Sequence, residues 1–185
     1  TPTTTQPSGT TRPSTSPSTS GRSGSGESTA RPNPPSLSWR RSSALSDSPA
    51  HQLACARDYT ASRYPPASVA RANAPPAADG RIRLAYLSAD FHEHATAYLM
   101  AGLFEAHDRA RFELTAISFG PADDGPMRRR LVAAFDRFID VRARSDAETA
   151  ELMRELAIDI AVDLKGFTAD NRAGILALRP APVQV

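Results

Sequence analysis

Cysteine is nearly absent from this chain: Cys55 is the single one, so no internal disulfide can form and secretion gains no support by that route. Lysine is as scarce, with Lys165 alone among 22 basic residues. No apolar run approaches the roughly 18–20 residues that cross a bilayer, and the first residues lack the basic-then-apolar pattern of a signal peptide. A cytoplasmic protein with no membrane partner is therefore expected. The usual nucleotide signatures are missing too. No G-x-G-x-x-G follows the first apolar run and no G-x-x-x-x-G-K-[ST] occurs anywhere, which removes the main support for an NAD-binding or P-loop reading. Any phosphate site must lie elsewhere. There is no internal repeat at a period of 20–50 residues.

What is present divides sharply near residue 80. Residues 1–80 hold 12 of the 16 prolines, and 23 of the first 50 residues are Ser or Thr. Such a stretch has too few large apolar side chains to offset the entropy of ordering its backbone. Residues 1–50 are expected to be a disordered tail, and 51–80 a short helix (51–64) followed by a Pro-rich linker. Residues 81–185 form the folded lobe. The net charge of +2 averages unlike parts, because residues 1–80 carry eight Arg against four acids, and residues 81–185 carry 14 bases against 16 acids. Eight Arg over 80 residues make no dense basic cluster, so no nucleic-acid partner is expected.

From Arg81 onward, five short apolar runs alternate with four amphipathic segments. The strands are read at 82–88, 112–120, 137–141, 158–164 and 181–185. The first helix, 97–108, places Leu99, Leu103 and Ala106 on one face at helical spacing. The second begins near Gly125 with the stripe Met127, Leu131, Ala134; the third, 145–157, opens on Ser145 and Glu148, a capping-box pattern. The fourth, 171–179, stops at Pro180. This β-α alternation predicts an α/β lobe, a Rossmann-like parallel sheet with right-handed crossovers and helices on both faces.

A sheet wound this way presents its chemistry at the carboxyl ends of its strands. Ser88, Asp90, His92, His94, Lys165 and Thr168 fall there. His92 and His94 would need further Cys, His or carboxylate ligands in a defined array to hold zinc, and no second His/Cys cluster completes four. No metal is expected. A loop histidine and a cleft histidine that hydrogen-bonds or exchanges a proton near neutral pH both remain as readings. In Lys165-Gly166-Phe167-Thr168, Gly166 permits a positive φ and Thr168 offers a hydroxyl or a helix N-cap. Arg128–Arg130 read as a solvated helix face with no assigned function.

The combination RIRLAYLSADFHEHATAYLM (81–100) and IDIAVDLKGFTADNRAGILALRPAPVQV (158–185) resembles the O-linked N-acetylglucosamine transferase and SPINDLY family, at the N-terminal lobe of its catalytic domain. The resemblance implies a GT-B architecture of two Rossmann-like lobes, the second lying outside this chain. It implies transfer of GlcNAc from UDP-GlcNAc to Ser/Thr hydroxyls of protein acceptors, with inversion and no cofactor or essential metal. On the matching positions, His94 would be the catalytic base or an active-site positioning group, and Lys165, Gly166 and Thr168 would lie at the substrate site. The chain departs from the family's usual pattern at Lys165, where Asn or a small residue is common, and at Ala95, where Pro is common. The isolated chain is expected to be inactive without the second lobe. The rival reading is a non-catalytic Rossmann-like binding or scaffold lobe. Limited proteolysis is expected to trim the chain to a core that starts between about residues 50 and 80; a resistant fragment that retains residues 1–40 contradicts the division.

Overall fold

The computed structural model describes residues 46–64 and 77–185, so the tail and linker expectations fall largely outside the described residues. Helix α1, Pro49–Arg63, begins with proline in its first turn, where a missing N–H costs nothing. Then follow β1 (Ile82–Ser88), α2 (Ala95–Ala106), β2 (Phe112–Ser118), α3 (Pro126–Ala134), β3 (Arg137–Asp140), α4 (Asp146–Glu155), β4 (Ile160–Asp163), α5 (Ala173–Ala177) and β5 (Val183–Gln184).

The five strands form one sheet in the order β3-β2-β1-β4-β5, and every neighbouring pair is parallel. β1 is central, pairing along its whole length with β2, from Ile82 opposite Phe112 to Ser88 opposite Ser118. On its other edge it pairs with β4, Leu84 opposite Ile160. Strand order reverses between β1 and β4, and that switch point is the crevice where open α/β sheets bind ligands. Pairing runs slightly past the strand limits, since Asp159 N–H donates to Arg83 O and Leu164 N–H to Leu87 O. Arg83 braces the same seam by gripping the Asp159 carboxylate at 2.9 and 3.0 Å.

Alternation along the strands feeds two cores. Leu84 and Tyr86 of β1 and Leu114 and Ala116 of β2 face α2 and α3, meeting Phe104, Met127 and Leu131. Ala85, Leu87 and Ile117 face the opposite way, against Ala150 and Met153 of α4 and Ile175 of α5. Both faces of the sheet are thus covered, as the sequence predicts. In the first core the rings of Tyr86, Phe91, Phe104, Phe135 and Phe138 meet mostly edge-on, with neighbouring centroids such as Phe91–Phe135 5.7 Å apart. That geometry suits the ring quadrupole.

Local signals hold where local chemistry decides. Ser145 caps α4 in a complete capping box with Glu148, and Gly125 caps α3, whose buried residues are Met127, Leu131 and Ala134. α5 is shorter than the 171–179 reading, because Arg172 stands at its N-cap and is held by tertiary contacts. α2 differs most. The Leu99–Leu103 stripe faces outward, with Leu99 82% exposed, while Ala97, Ala101 and Phe104 are buried. Both stripes have helical period; the sheet takes the one with small residues, over which the helix axis can sit close to β1 and β2. Phe104→Ala is therefore expected to cost about 3–5 kcal/mol of stability, and Leu99→Ala less than about 0.5 kcal/mol, read by chemical denaturation; similar losses at both would contradict this packing.

Candidate functional site

At the carboxyl ends of β1, β2, β3 and β4 lies an open cleft of about 680 Å³, lined by residues that include Asp90, His92, His94, Arg142, Lys165 and Asp170. Its position follows from the fold. The turn after β1 is pinned from below by Phe91, which is 2% exposed and plugs the aromatic core. With Phe91 inward, Asp90 and His92 line the cleft. Gly120, in the turn after β2, passes so near Ala89 that a Cβ there would come within 1.6 Å of the Ala89 carbonyl oxygen. Glycine at 120 is thus what lets the two turns close one wall of the cleft.

The charged centre is the pair Lys165–Asp90. The ammonium lies 3.0 Å from each carboxylate oxygen, and the side chains are only 10% and 9% exposed. Seventy-five positions separate the two residues in sequence; β1 and β4 being neighbours brings them together at the strand-order reversal. Burial makes each partner dependent on the other, and removing one leaves an uncompensated charge at a typical cost of about 3–5 kcal/mol.

His94 is the N-cap of α2. Its Nδ1 accepts from Thr96 N–H at 3.2 Å. The same nitrogen lies 3.7 Å from Asp90 Oδ2, which would be an ion pair only with a protonated ring. The two roles exclude each other, because a cap needs the Nδ1 lone pair and an ion pair needs Nδ1–H. The shorter contact assigns the cap. In the neutral ring the hydrogen then sits on Nε2, and the residue lines the cleft. His92 also lines the cleft, its ring centroid 5.6 Å from that of His94. Neighbouring Glu93 does not join them. Its carboxylate bridges the start of α3 and the Tyr98 hydroxyl, accepting from Met127 N–H at 3.2 Å and from Tyr98 at 2.5 Å.

The other sequence-derived candidates shape the loop after β4. Gly166 has φ +52° and open space around it, so conformation rather than crowding calls for glycine. Thr168 is exposed and closes the turn, its hydroxyl donating to Lys165 O at 2.7 Å and its N–H to the same oxygen at 3.1 Å. It caps no helix, since α5 begins at Ala173 with Arg172 at the N-cap. Thr168 and Gly166 lie in the loop that carries Lys165, Ala169 and Asp170 into the cleft wall.

Sequence reasoning missed three arginines. Arg142 lines the cleft and pairs with Asp140 at 2.6 Å, a contact that holds the Asp140 carboxyl below the ordinary Asp value. Its place just past the end of β3 was a usable signal. Arg128, expected to be solvated, lies 4.1 Å over the Phe138 ring and donates to Phe91 O and Ser118 Oγ, each at 2.9 Å. Arg172 ties the start of α5 to the turn after β3, reaching Asp146 at 2.7 Å and the carbonyls of Val141 and Arg144 at 3.0 and 2.8 Å. Nothing local in the sequence marks the last two.

A parallel, Rossmann-like sheet with a polar cleft at its strand-order reversal places the chain in the class of doubly wound α/β folds. The particular family follows from comparison. The model of glycosyl transferase family 41 matches residues 48–185, and the chain belongs to that family. It is 33% identical over 105 residues to a probable UDP-N-acetylglucosamine–peptide N-acetylglucosaminyltransferase, SEC, of Arabidopsis thaliana, covering 57% of this chain and 11% of that protein. A UDP-N-acetylglucosamine–peptide N-acetylglucosaminyltransferase of Caenorhabditis elegans is 34% identical over 106 residues, covering 57% and 9%. Among solved structures, a point mutant of the Thermobaculum terrenum O-GlcNAc transferase superposes with a TM-score of 0.67 at 35% identity, covering 79% of this chain and 30% of that one. The chain therefore spans about a tenth of these two curated relatives. The fold expected from the sequence, a GT-B-type N-terminal lobe, is the fold observed.

Asp163, at the end of β4, offers a pH test. Burial raises its pKa above 3.8, against opposing hydrogen bonds from the Lys165 and Gly166 N–H groups. A folded state that holds its proton more tightly loses stability as pH climbs from the unfolded value through the raised one. Asp163→Asn is thus expected to melt higher than wild type at pH 7, with the gain vanishing below about pH 3.8; a gain that persists in acid contradicts the assignment.

Proposed function

We propose that this lobe forms one wall of the active cleft of a glycosyltransferase that moves N-acetylglucosamine from UDP-N-acetylglucosamine to Ser or Thr hydroxyls of protein acceptors. The observation that carries the reading is the cleft at the reversal between β1 and β4, where His94 and the Lys165–Asp90 pair converge on a chain of this family. The names of the relatives supply the donor and the peptide acceptor.

The chemistry sets the requirements. The acceptor oxygen bonds to the anomeric carbon as that carbon's bond to the diphosphate oxygen breaks. The hydroxyl's proton passes to water, directly or through a side-chain base, and UDP departs with the bonding electron pair. Attack opposite the leaving group inverts the anomeric centre. The diphosphate's developing charge is the larger electrostatic demand, and we assign it to a second lobe. This lobe supplies acceptor-side groups: His94 at the cap of α2, with Lys165, Gly166 and Thr168 shaping the adjoining loop. The reading requires no metal or other cofactor.

In the full-length protein that carries this lobe, His94→Ala is expected to lower transfer from UDP-N-acetylglucosamine to peptide by about 10²–10⁴, the scale for loss of an acid–base or charge-stabilising group. His92→Ala is expected to cost less than about tenfold, a barrier change under roughly 1.4 kcal/mol. Rates are to be unchanged by a chelator. Equal losses at both histidines, with melts showing folded protein, would reject His94 as the operative group. The isolated 185-residue chain is expected to turn over no UDP-N-acetylglucosamine above a His94→Ala control; turnover there would reject the need for a second lobe.

A further inference from the structure

The turn after β1 holds a conflict that only a distant residue resolves. Asp90 Oδ2 lies 3.7 Å from His94 Nδ1, near enough that a small rotation would let the ring donate to it. A carboxylate that is 9% exposed gains strongly from any donor, since water cannot serve it well. Against this pull stands one weak contact, the 3.2 Å bond from Thr96 N–H to the same ring nitrogen. Left to the turn alone, Asp90 would take the proton of His94 Nδ1 into its own hydrogen bond. Nε2 would then be a bare acceptor facing the cleft.

Lys165 removes that demand. Its ammonium meets both Asp90 oxygens at 3.0 Å, and the Thr96 hydroxyl adds a donor to Oδ2 at 3.4 Å. With the carboxylate served from β4, His94 Nδ1 keeps its lone pair for the cap. The remaining charged or titratable groups at the cleft are His92 on the same turn, Arg142 after β3 and Asp170 on the β4–α5 loop. Arg142 is engaged by Asp140, and His94 Nδ1 meets Thr96 N–H and lies near Asp90.

We propose that Lys165 is a positioning residue that sets the tautomer of His94: by saturating Asp90 it keeps Nδ1 an acceptor and directs Nε2–H into the cleft, so that His94 offers a ligand oxygen a hydrogen-bond donor. This deepens the proposed function, since a neutral His94 would then hold or polarise an oxygen rather than accept the acceptor's proton at Nε2. The inference itself concerns the ring and stands without any sugar nucleotide.

The test is a two-bond ¹H–¹⁵N NMR correlation of the histidine rings in the 185-residue chain, recorded near pH 9, where an ordinary imidazole is neutral. His94 is assigned by its loss in His94→Ala. Wild type is expected to show Nδ1 with the shift of an unprotonated ring nitrogen and Nε2 with that of a protonated one. Lys165→Met is expected to move both shifts toward the opposite tautomer. Asp90→Asn/Lys165→Met, which removes the carboxylate as well, is expected to restore the wild-type pattern. Should Lys165→Met not fold, Lys165→Gln, a neutral residue, is read the same way. A protonated Nδ1 in wild type, an unchanged tautomer in the Lys165 variant, or failure of the double variant to restore it would each overturn the proposal. None of these measurements involves UDP-N-acetylglucosamine, so their failure is separate from failure of the transferase reading.

Discussion

Strand β1 is hydrogen-bonded on both edges and packed on both faces, and the rest of the lobe is arranged around that constraint. A central strand in a parallel sheet cannot turn either face to water, so Leu84 and Tyr86 must meet one helical layer while Ala85 and Leu87 meet another. β2 and β4 must both run parallel to it, which requires crossovers in opposite directions across the sheet. The place where those crossovers diverge has no helix over it, and the cleft lies there.

Close packing and one arginine clamp hold the turns around the cleft together. Phe91 anchors the β1–α2 turn in an aromatic cluster, Gly120 allows the β2–α3 turn to lie against Ala89, and Arg172 binds the turn after β3 to the start of α5. On that frame the Lys165–Asp90 pair can be buried, because its two halves arrive on neighbouring strands with little freedom to separate. The same burial gives the pair its influence on His94, since a solvated carboxylate at that distance would be satisfied by water.

Much of the fold was legible because its signals are local. The capping box at Ser145 and Glu148, the Gly125 start of α3, the apolar runs of β1 and β2 and the stop before Pro180 each depend on residues within a few positions. The α2 face was not legible. Its sequence offers two apolar stripes of equal period, and the choice between Leu99–Leu103 and Ala97–Ala101–Phe104 depends on how closely the sheet lets the helix approach. Arg128 was misread for a related reason. The two arginines that follow it are exposed, whereas its own guanidinium folds over Phe138 of a different element.

At the site the division is the same. The sequence alone determined that His92, His94, Lys165 and Thr168 stand at carboxyl ends of parallel strands, because the β-α alternation places them there whatever the details of packing. It also determined the family, through motifs spaced along the chain. Only the tertiary structure decided which of these residues meet. It turned Thr168 back onto its own loop, spent most of Lys165 on Asp90, brought in Arg142, and gave His94 the cap of α2. The reason is distance along the chain: Asp90 and Lys165 are 75 positions apart, and no local pattern encodes a contact that exists only because β1 and β4 are neighbours.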